Sequence, residues 1–291
     1  ECAVFRYVDA YEASGQEADI FAVDEAAGIP VPLLYRIIGR NDKTIFSSTI
    51  HGYEGAGRGF SIRFLKGIRE MKKLSVVEVE MEEPIRYAEG DPVERWVYDA
   101  LLLEAEPASI DEKTRADVEK LNVAFAHAPI DDWLLKPEAE EEFKQFVGIY
   151  VYAHYRNRPN DIIILTDSPH HDAFVLKARS TGKILNALHV AYEGELPDQV
   201  IEKMYGEKFD VSGNIRPSLM VHHQRDREFP RLRGVRIVRI ATHPDLFGRG
   251  LGSKTLEALE EYARENGFEW VGAVFGASSI LLNFWVKNGY M

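Results

Sequence analysis

A glycine-rich turn late in the chain is the part of this sequence with the clearest chemistry. Three glycines stand at alternate positions in Gly248-Arg249-Gly250-Leu251-Gly252. Glycine lets a backbone approach a ligand closely, and the free amides at the start of a following helix attract negative charge. The spacing is neither the dinucleotide-binding pattern nor the Walker A pattern. We therefore interpret the turn as a binding site for the phosphates of another ligand.

The elements that position this turn are indicated by the residues around it. The apolar, β-branched run at 235–241 predicts a strand. Apolar residues at helical spacing predict a helix that begins at Ser253. A last helix is expected over 278–288, with Gly289 as its cap. Strand, turn and helix together would present backbone amides to a ligand.

The other predicted elements alternate between strand and helix. In the first half the predicted strands are 19–23, 43–48 and 76–79, and the predicted helices are 32–38, 60–71 and 92–103. In the second half we predict a helix at 143–154, a hairpin of strands 173–179 and 183–190, and a strand at 270–275. Such alternation is typical of α/β folds with a parallel sheet.

Composition and charge exclude some classes of protein. A single cysteine rules out an internal disulfide, and no apolar run reaches the roughly 18 residues of a membrane span. We expect a cytoplasmic protein with no membrane partner. The net charge is −12, but the second half is nearly neutral and eight arginines fall there within 34 residues: Arg216, Arg225, Arg227, Arg231, Arg233, Arg236, Arg239 and Arg249. This stripe suits RNA or cofactor phosphates, and a set of solvated arginines is the equal alternative.

Acidic residues after an early strand suggest a second site. Asp24-Glu25 ends an apolar run and resembles a Walker B element, in which the Asp lies by Mg²⁺ and the Glu polarises a water. The glycine-dense stretch 47–60, which contains Arg58, suits a phosphate-sensing loop, and Arg86 offers a cation for a γ-phosphate. No Walker A sequence occurs in the 291 residues. Loop chemistry without a ligand is the alternative for each feature.

A histidine near a predicted helix end is the candidate general base. His154 lies two residues before Arg156, and histidine is the usual proton acceptor near neutral pH. A surface helix end with basic caps is the alternative. Two histidine pairs, 170–171 and 222–223, would point to opposite faces of a strand, and no cysteine lies nearby. We therefore expect no metal site.

Two motifs resemble those of the GCN5-related N-acetyltransferases. The turn at 247–252 is similar to the family's Arg/Gln-x-x-Gly-x-Gly/Ala turn, and 283–290 is similar to its Phe-Tyr-x-Lys-x-Gly-Phe run. The resemblance implies that the turn holds the pyrophosphate of acetyl-coenzyme A. The residues that it assigns to the cofactor are Ile240, Ala241, Thr242, Phe247, Gly248, Arg249, Gly250, Leu251, Gly252, Ser253 and Phe284.

The sequence departs from that family pattern at two positions. Phe247 stands where the family usually has Arg or Gln, so backbone amides replace one side-chain contact to phosphate. Trp285 stands where the family often has a Tyr that protonates the departing thiolate. An indole N–H cannot act as that acid, and Tyr290 has only a weak claim to the role.

Nearly the whole chain resembles the tRNA(Met) cytidine acetyltransferase family. The segments that carry the resemblance are 24–30, 48–55, 83–86, 153–155 and 236–244. It implies an α/β fold with an incomplete P-loop helicase-like parallel-sheet domain at 1–105, a connector at 106–142, and a GCN5-related N-acetyltransferase domain of mixed α/β structure at 143–291. The abrupt ends of the sequence lead us to expect a fragment of a longer polypeptide.

This resemblance also implies a reaction and roles for the candidate residues. Acetyl passes from acetyl-coenzyme A to the N4 amine of a cytidine, at the wobble base of elongator tRNA(Met) or in another RNA. In the complete enzyme, ATP or GTP is hydrolysed with Mg²⁺. The implied roles are catalytic base for His154, nucleotide contact for Asp24, Glu25, Arg58 and Arg86, and RNA contact for Arg156, Arg225 and Arg231.

Two other classes of function stay open from the residues alone. The first is an N-acetyltransferase that acts on a protein or a small amine, which RNA-dependent release of coenzyme A would distinguish. The second is a non-catalytic RNA-binding or remodelling module with a vestigial acetyl site. The substitutions Phe247 and Trp285 fit that second class, and it predicts no binding of acetyl-coenzyme A.

Overall fold

The chain divides into two compact units. The computed structural model describes residues 4–49, 64–81, 83–151, 159–207 and 209–290. The first unit contains residues 1–104 and 154–159, and the second contains 105–153 and 160–291. Within the described ranges, no helix is long and apolar enough to cross a bilayer.

The first unit has a small parallel sheet. Its elements are α1 (Ala10–Ala13), β1 (Phe21–Val23), α2 (Val31–Ile38), β2 (Thr44–Phe46), α3 (Lys66–Glu70) and α4 (Pro92–Ala100). β1 pairs with β2 in parallel, with Val23 opposite Phe46. α2 buries Leu34 and Ile37, at helical spacing, in a cluster with Phe64. The predicted strands at 19–23 and 43–48 are confirmed, in shortened form.

The strand predicted at 76–79 is wrong. Residues 74–81 form no regular element, and Val77 and Val79 are 82% and 83% exposed. The segment is held instead by Glu78, whose two carboxylate oxygens accept hydrogen bonds from Arg69 at 2.6 Å each. An alternating pattern forms a strand only when another strand pairs with it, and no described strand does so here. Part of the helix predicted at 60–71 lies outside the described residues.

The second unit is built on a five-stranded sheet of order β3-β4-β5-β6-β7. Its elements are α5 (Glu112–Glu119), β3 (Val123–His127), α6 (Ile130–Leu135), α7 (Glu140–Tyr150), α8 (Pro159–Asp167), β4 (His171–Ala178), β5 (Ile184–Glu193), α9 (Asp198–Glu207), α10 (Ile215–Leu219), β6 (Gly234–Thr242), α11 (Leu251–Glu265), β7 (Trp270–Ala273) and α12 (Ser279–Lys287). Neighbouring strands are antiparallel except β6 and β7, which are parallel.

β3 lies inside the range 106–142, where the sequence indicated only a partly helical connector. It pairs with β4, and the ring of Phe125 stacks on that of Phe174 with centroids 5.1 Å apart. The Asp117 carboxylate accepts hydrogen bonds from the backbone and hydroxyl of Ser180, so α5 is also tied to the sheet. A run of five residues with charged neighbours gives too weak a periodicity to predict such a strand.

The two faces of this sheet have different chemistry. Leu188, Val190 and Val235 face α11 in an apolar cluster that includes Leu256 and Leu259. Each such side chain contributes about 1.5–3 kcal/mol on burial. The opposite face carries four buried polar side chains, those of His189, Glu193, Arg236 and Arg239. The apolar face stabilises the fold, and the polar face contains the side chains that can donate or accept protons and hydrogen bonds.

Candidate functional site

β6 has an open edge beyond its pairing with β7. The parallel register ends where Ile237 faces Ala273, while β6 continues to Thr242. β5 covers the other edge of β6 as far as Thr242. No described strand pairs with residues 238–242 on the β7 side, so their backbone N–H and C=O groups can accept an extended polar ligand.

A bulge directs the side chains of this open stretch. Ile237 pairs with Val190 and Arg239 pairs with His189, which leaves Val238 as an extra residue in β6. Beyond the bulge, Ile240 packs against the apolar cluster under α11. Arg239 points to the opposite, polar face, where its guanidinium lies over Tyr150 of α7.

The glycine turn follows directly and projects from two buried anchors. Leu246 and Leu251 are 2% and 1% exposed and belong to one apolar cluster. Between them the chain is exposed, and Gly248 and Gly250 adopt φ of 76° and 79°. A Cβ at either glycine would meet nothing within 4 Å, so the left-handed conformation, and not lack of space, requires glycine. The turn faces open space.

The amino terminus of α11 supplies free donors to this turn. Gly250 precedes the helix and no side chain caps it, so the amides of Leu251, Gly252 and Ser253 have no helical acceptor. These N–H groups and the helix dipole favour an anion. Arg249 is exposed beside them and makes no ion pair with any described residue. The arrangement suits a pyrophosphate.

The structure brings the last predicted helix to the same place. A Cβ built on Gly252 would lie 3.3 Å from the ring of Phe284 in α12 and 3.7 Å from Oγ1 of Thr242. The end of β6, the start of α11 and α12 therefore meet at one point. Gly289 ends α12 with φ 84°, as predicted. Phe247, by contrast, is 56% exposed, and its side chain has no group that could bind a phosphate.

The residue at the family's acid position is buried in the core. Trp285 is 6% exposed and packs in the cluster with Leu256 and Leu259. Tyr290 lies against it, with ring centroids 5.0 Å apart, and burial raises the pKa of its phenol. Both side chains also line a cavity of about 720 Å³ between β7, α11 and α12, and no residue of the glycine turn lines that cavity.

A hydrogen-bonded chain crosses the polar face of the sheet. The Tyr150 hydroxyl lies 2.9 Å from Nδ1 of His189, and Nε2 of His189 lies 2.7 Å from Nδ1 of His171. Burial, more than the neighbouring His171 and Arg239, lowers the pKa of His189 to about 2. Burial raises the pKa of Tyr150 to about 12. These hydrogen bonds could not be predicted from the sequence, because Tyr150 and His189 are 39 positions apart and share no motif.

Two of the arginines that we predicted to contact RNA, Arg231 and Arg225, interact with other side chains of the protein. Arg231 pairs with Asp198 at 2.9 Å and also with Glu228, which offsets its charge. Arg225 places its guanidinium carbon 3.5 Å from the ring centroid of Tyr205. Two other predicted site residues, His154 and Arg156, lie outside the described residues, as does Arg58.

The candidate nucleotide residues are only partly brought together. Asp24 follows β1, and its Oδ1 accepts a hydrogen bond from the hydroxyl of Ser47 at 2.6 Å, next to the end of β2. Glu25 has a left-handed backbone with φ 49°. Arg86 is exposed and has no hydrogen bond or ion pair to either acid among the described residues. In the same ranges no group of three His, Cys, Asp or Glu is placed to hold a metal ion.

Two family models match the chain. The model described as RNA cytidine acetyltransferase NAT10/TcmA, helicase domain, matches residues 2–104. The model described as GNAT acetyltransferase 2 matches residues 145–268, which include β6, the glycine turn and α11.

Curated relatives align over almost the whole chain. The tRNA(Met) cytidine acetyltransferase TmcA of Methanopyrus kandleri is 50% identical over 288 residues, which cover 99% of this chain and 34% of that protein. The TmcA of Pyrococcus abyssi is 50% identical and covers 98% and 34%. TmcA 2 of Saccharolobus solfataricus is 37% identical and covers 98% and 36%. This chain therefore spans about a third of the length of these relatives.

Solved structures of acetyltransferases align with part of the chain. A GNAT family acetyltransferase of Staphylococcus aureus has a TM-score of 0.35 at 14% identity and covers 58% of this chain and 92% of its own. The ribosomal-protein-alanine N-acetyltransferase of Brucella melitensis has a TM-score of 0.37 at 13% identity and covers 58% and 91%.

Proposed function

The chain belongs to the RNA cytidine acetyltransferase family, with the family's helicase domain followed by a GNAT acetyltransferase domain, and from this premise we propose that it transfers acetyl from acetyl-coenzyme A to the N4 amine of a cytidine in RNA. One observation carries the proposal. The open edge of β6 is followed, after the short turn at Pro244–Leu246, by an exposed glycine turn at 247–250 that leads into the uncapped amino terminus of α11.

The cofactor would bind in two parts along this path. The amides of its pantetheine arm pair with the open edge of β6, at Ile240, Ala241 and Thr242. Its pyrophosphate meets the amides of 248–253 and the guanidinium of Arg249. Phe284 closes the far side of the turn by packing at Gly252.

Orientation and proton removal would then carry the rate. The N4 amine of cytidine is conjugated to its ring and is a poor nucleophile. Holding it against the thioester can supply up to about 7–11 kcal/mol. Backbone amides at the open edge of β6 stabilise the developing oxyanion. His154 accepts the amine proton, a contribution of about 10²–10⁴-fold.

The RNA that we propose is elongator tRNA(Met), and the curated relatives carry tRNA(Met) in their names. Its phosphates would contact Arg156, Arg225 and Arg231. In the complete enzyme, ATP or GTP with Mg²⁺ would bind at Asp24, Glu25, Arg58 and Arg86. The hydrogen bond between Ser47 and Asp24 supports this second site, since it places the acid at the end of the parallel strands.

Two measurements on this chain test the proposal. Calorimetric titration should show binding of acetyl-coenzyme A that Gly250→Val abolishes, because a branched side chain cannot adopt the φ of 79°. Release of free coenzyme A should then require RNA that contains the tRNA(Met) anticodon, with the same RNA lacking the wobble cytidine as control. Absence of binding would support the non-catalytic module. Release driven by an amine without RNA would support the other class of acetyltransferase.

A further inference from the structure

A buried asparagine lies beside the end of the open stretch of β6. Asn186 of β5 is fully buried, and so are its neighbours in the strand, Leu185 and Ala187. It stands directly opposite Thr242 in the sheet, and its Nδ2 donates a hydrogen bond to Oγ1 of Thr242 at 2.8 Å. Its Oδ1 has no hydrogen-bond partner among the described residues. A polar side chain thus occupies an apolar part of the strand, with its oxygen left unpaired.

The stability of the sheet does not explain this asparagine. The ends of β5 and β6 are already joined by backbone hydrogen bonds, such as that from the N–H of His243 to the carbonyl oxygen of Leu185 at 2.9 Å. A buried polar atom without a partner carries its full desolvation cost, and two apolar side chains of the same shape avoid that cost. The unpaired oxygen therefore calls for another explanation, which the partner of Asn186 supplies.

That partner, the Thr242 hydroxyl, lies on the face of the sheet that α11 covers. Ile240, two residues earlier in β6, packs in the apolar cluster under α11. Oγ1 of Thr242 lies 3.7 Å from the position of a Cβ on Gly252, in the first turn of that helix. Thr242 is only partly buried and is the last residue of β6. The hydroxyl is therefore close to both the open strand edge and the uncapped amino terminus of α11.

The bond from Asn186 determines what this hydroxyl can do. A hydroxyl has one proton to donate and two lone pairs that accept. Because Nδ2 of Asn186 occupies a lone pair of Thr242, the hydroxyl proton stays free to donate, and no described residue accepts it. The branched side chain of threonine is stiff about its Cα–Cβ bond, so the hydroxyl keeps one direction. Thr242 thus offers a donor to a ligand where the amides of α11 offer others.

We propose that the Thr242 hydroxyl donates a hydrogen bond to a pyrophosphate oxygen of acetyl-coenzyme A, and that Asn186 is the positioning residue that keeps its proton available for this bond. The inference rests on the proposed function, because it needs the cofactor in the glycine turn. The hydroxyl adds a neutral donor to the amides of α11 and the guanidinium of Arg249, in a turn where Phe247 supplies none.

Calorimetric titration of this chain with acetyl-coenzyme A tests the pair through a double-mutant cycle. Thr242→Val keeps the shape of the side chain and removes the hydroxyl, so affinity should fall about 10- to 100-fold, as for a hydrogen bond to a charged group. Asn186→Leu should lower affinity about three- to tenfold by itself, and by less than about twofold when added to Thr242→Val. Thr242→Ser, which retains the hydroxyl, should bind nearly as tightly as the wild type.

Two further variants separate the direction of the hydroxyl from packing. Asn186→Ala shortens the side chain where Asn186→Leu enlarges it, and both should lower affinity by the same factor. Thr114→Val is the matched control, because Thr114 is also fully buried in the second unit and its hydroxyl bonds to that of Thr181 at 2.9 Å. This variant should lose stability in urea and keep wild-type affinity.

Turnover with RNA at saturating acetyl-coenzyme A identifies the part of the cofactor that accepts the bond. A bond to the pyrophosphate is made equally before and during the reaction, so Thr242→Val should raise KM and leave kcat unchanged. A fall in kcat at saturation would place the hydroxyl at the thioester and overturn the proposal.

Three results of the titration would also overturn it. The first is wild-type affinity in Thr242→Val. The second is an equal loss from Asn186→Leu with and without the Thr242 hydroxyl, which would make Asn186 structural. The third is a gain of affinity in Asn186→Leu, which would mean that Thr242 donates to Asn186 instead. Wild-type protein that does not bind acetyl-coenzyme A would overturn the proposed function itself.

Discussion

The Nε2 atom of His243 lies 2.7 Å from the carbonyl oxygen of Ala108. His243 follows β6 and begins the path into the glycine turn, so this bond fixes the turn against a segment 135 positions earlier. Nδ1 of the same ring accepts the backbone N–H of Asp245 at 3.2 Å. One nitrogen donates and the other accepts, which requires a neutral ring, and burial lowers the pKa of His243 accordingly.

His243→Phe should therefore destabilise the second unit and loosen the turn. The change leaves the part-buried carbonyl of Ala108 and the N–H of Asp245 without these partners, at a cost of about 1 kcal/mol or more. Urea unfolding measures the loss, and calorimetry should show weaker binding of acetyl-coenzyme A. His223→Phe is the control, since His223 is exposed and outside the site. Equal unfolding midpoints for the two variants would contradict this role of His243.

Gly250→Ala should weaken cofactor binding by about tenfold. An alanine at φ 79° costs about 1–2 kcal/mol, and relief of that strain would move the amides of α11 away from the phosphates. Gly182→Ala is the matched control, because Gly182 has φ 70° in the β4–β5 hairpin and also has open space around its Cα. Both variants should lose similar stability, and only Gly250→Ala should lose affinity. Similar affinities would mean that the turn does not bind the cofactor.

His154→Ala should separate binding from chemistry. If His154 is the base, its removal lowers turnover by about 10²–10⁴-fold and leaves acetyl-coenzyme A affinity unchanged. Rates of coenzyme A release and a calorimetric titration measure the two quantities. His222→Ala is a control histidine, paired with Asp210 at 3.0 Å on the α10 side of the unit. Wild-type turnover in His154→Ala would remove His154 from the mechanism.

The strand β6, the glycine turn and the helix α11 could be predicted from the sequence, because each is indicated by residues within its own segment. A β-branched run, two glycines that need positive φ and an apolar helix face lie within 35 residues of one another, and the strand and the helix form within two residues of their predicted bounds. The open edge of β6 could not be predicted in this way. It depends on β7 ending at Ala273 while β6 continues to Thr242, and strand lengths are set by tertiary pairing.

The polar face of the sheet was missed for a related reason. His189 lies within an otherwise apolar strand, and nothing near it in sequence shows that Tyr150 and His171 will complete its hydrogen bonds. The bulge at Val238, which turns Arg239 toward Tyr150, leaves no local signal either. The chemistry of these residues depends on partners that are distant in the sequence, whereas the glycine turn is recognisable from its own residues.

Glu193→Gln should be among the most destabilising single changes to charge in the second unit. The Glu193 side chain is fully buried, pairs with Arg236, and accepts the backbone N–H of Arg216 at 2.8 Å. Removing its charge leaves Arg236 buried without a counter-ion, which costs about 3–5 kcal/mol. Glu195→Gln is the matched control, because Glu195 is 69% exposed and lies 3.8 Å from Arg233. That change should cost less than about 1 kcal/mol in chemical denaturation, and equal losses would contradict the importance of burial.

The pH dependence of stability should have opposite signs at two histidines. The pKa of His189 is lowered to about 2 in the folded state, against about 6.5 in the unfolded chain. Neutral His189 therefore contributes its full share to the free energy of unfolding above pH 6.5. That share is lost as pH falls, by up to about 1.4 kcal/mol per pH unit. The hydrogen bond that His127 donates to the Asp172 carboxylate raises the pKa of His127, whose smaller contribution to stability is present at low pH and is lost as pH rises through that pKa.

Urea midpoints at pH 7 and pH 5 distinguish these effects in the two matched variants. His189→Gln can keep hydrogen bonds to both neighbours but cannot titrate, so its stability should fall less than that of the wild type on acidification. His127→Gln should fall slightly more, since the wild type gains from the charged ring at pH 5 and the His127 side chain is 56% exposed. A wild-type pH slope in His189→Gln would mean that His189 accepts a proton in the folded state, in contradiction to the lowered pKa that its burial produces.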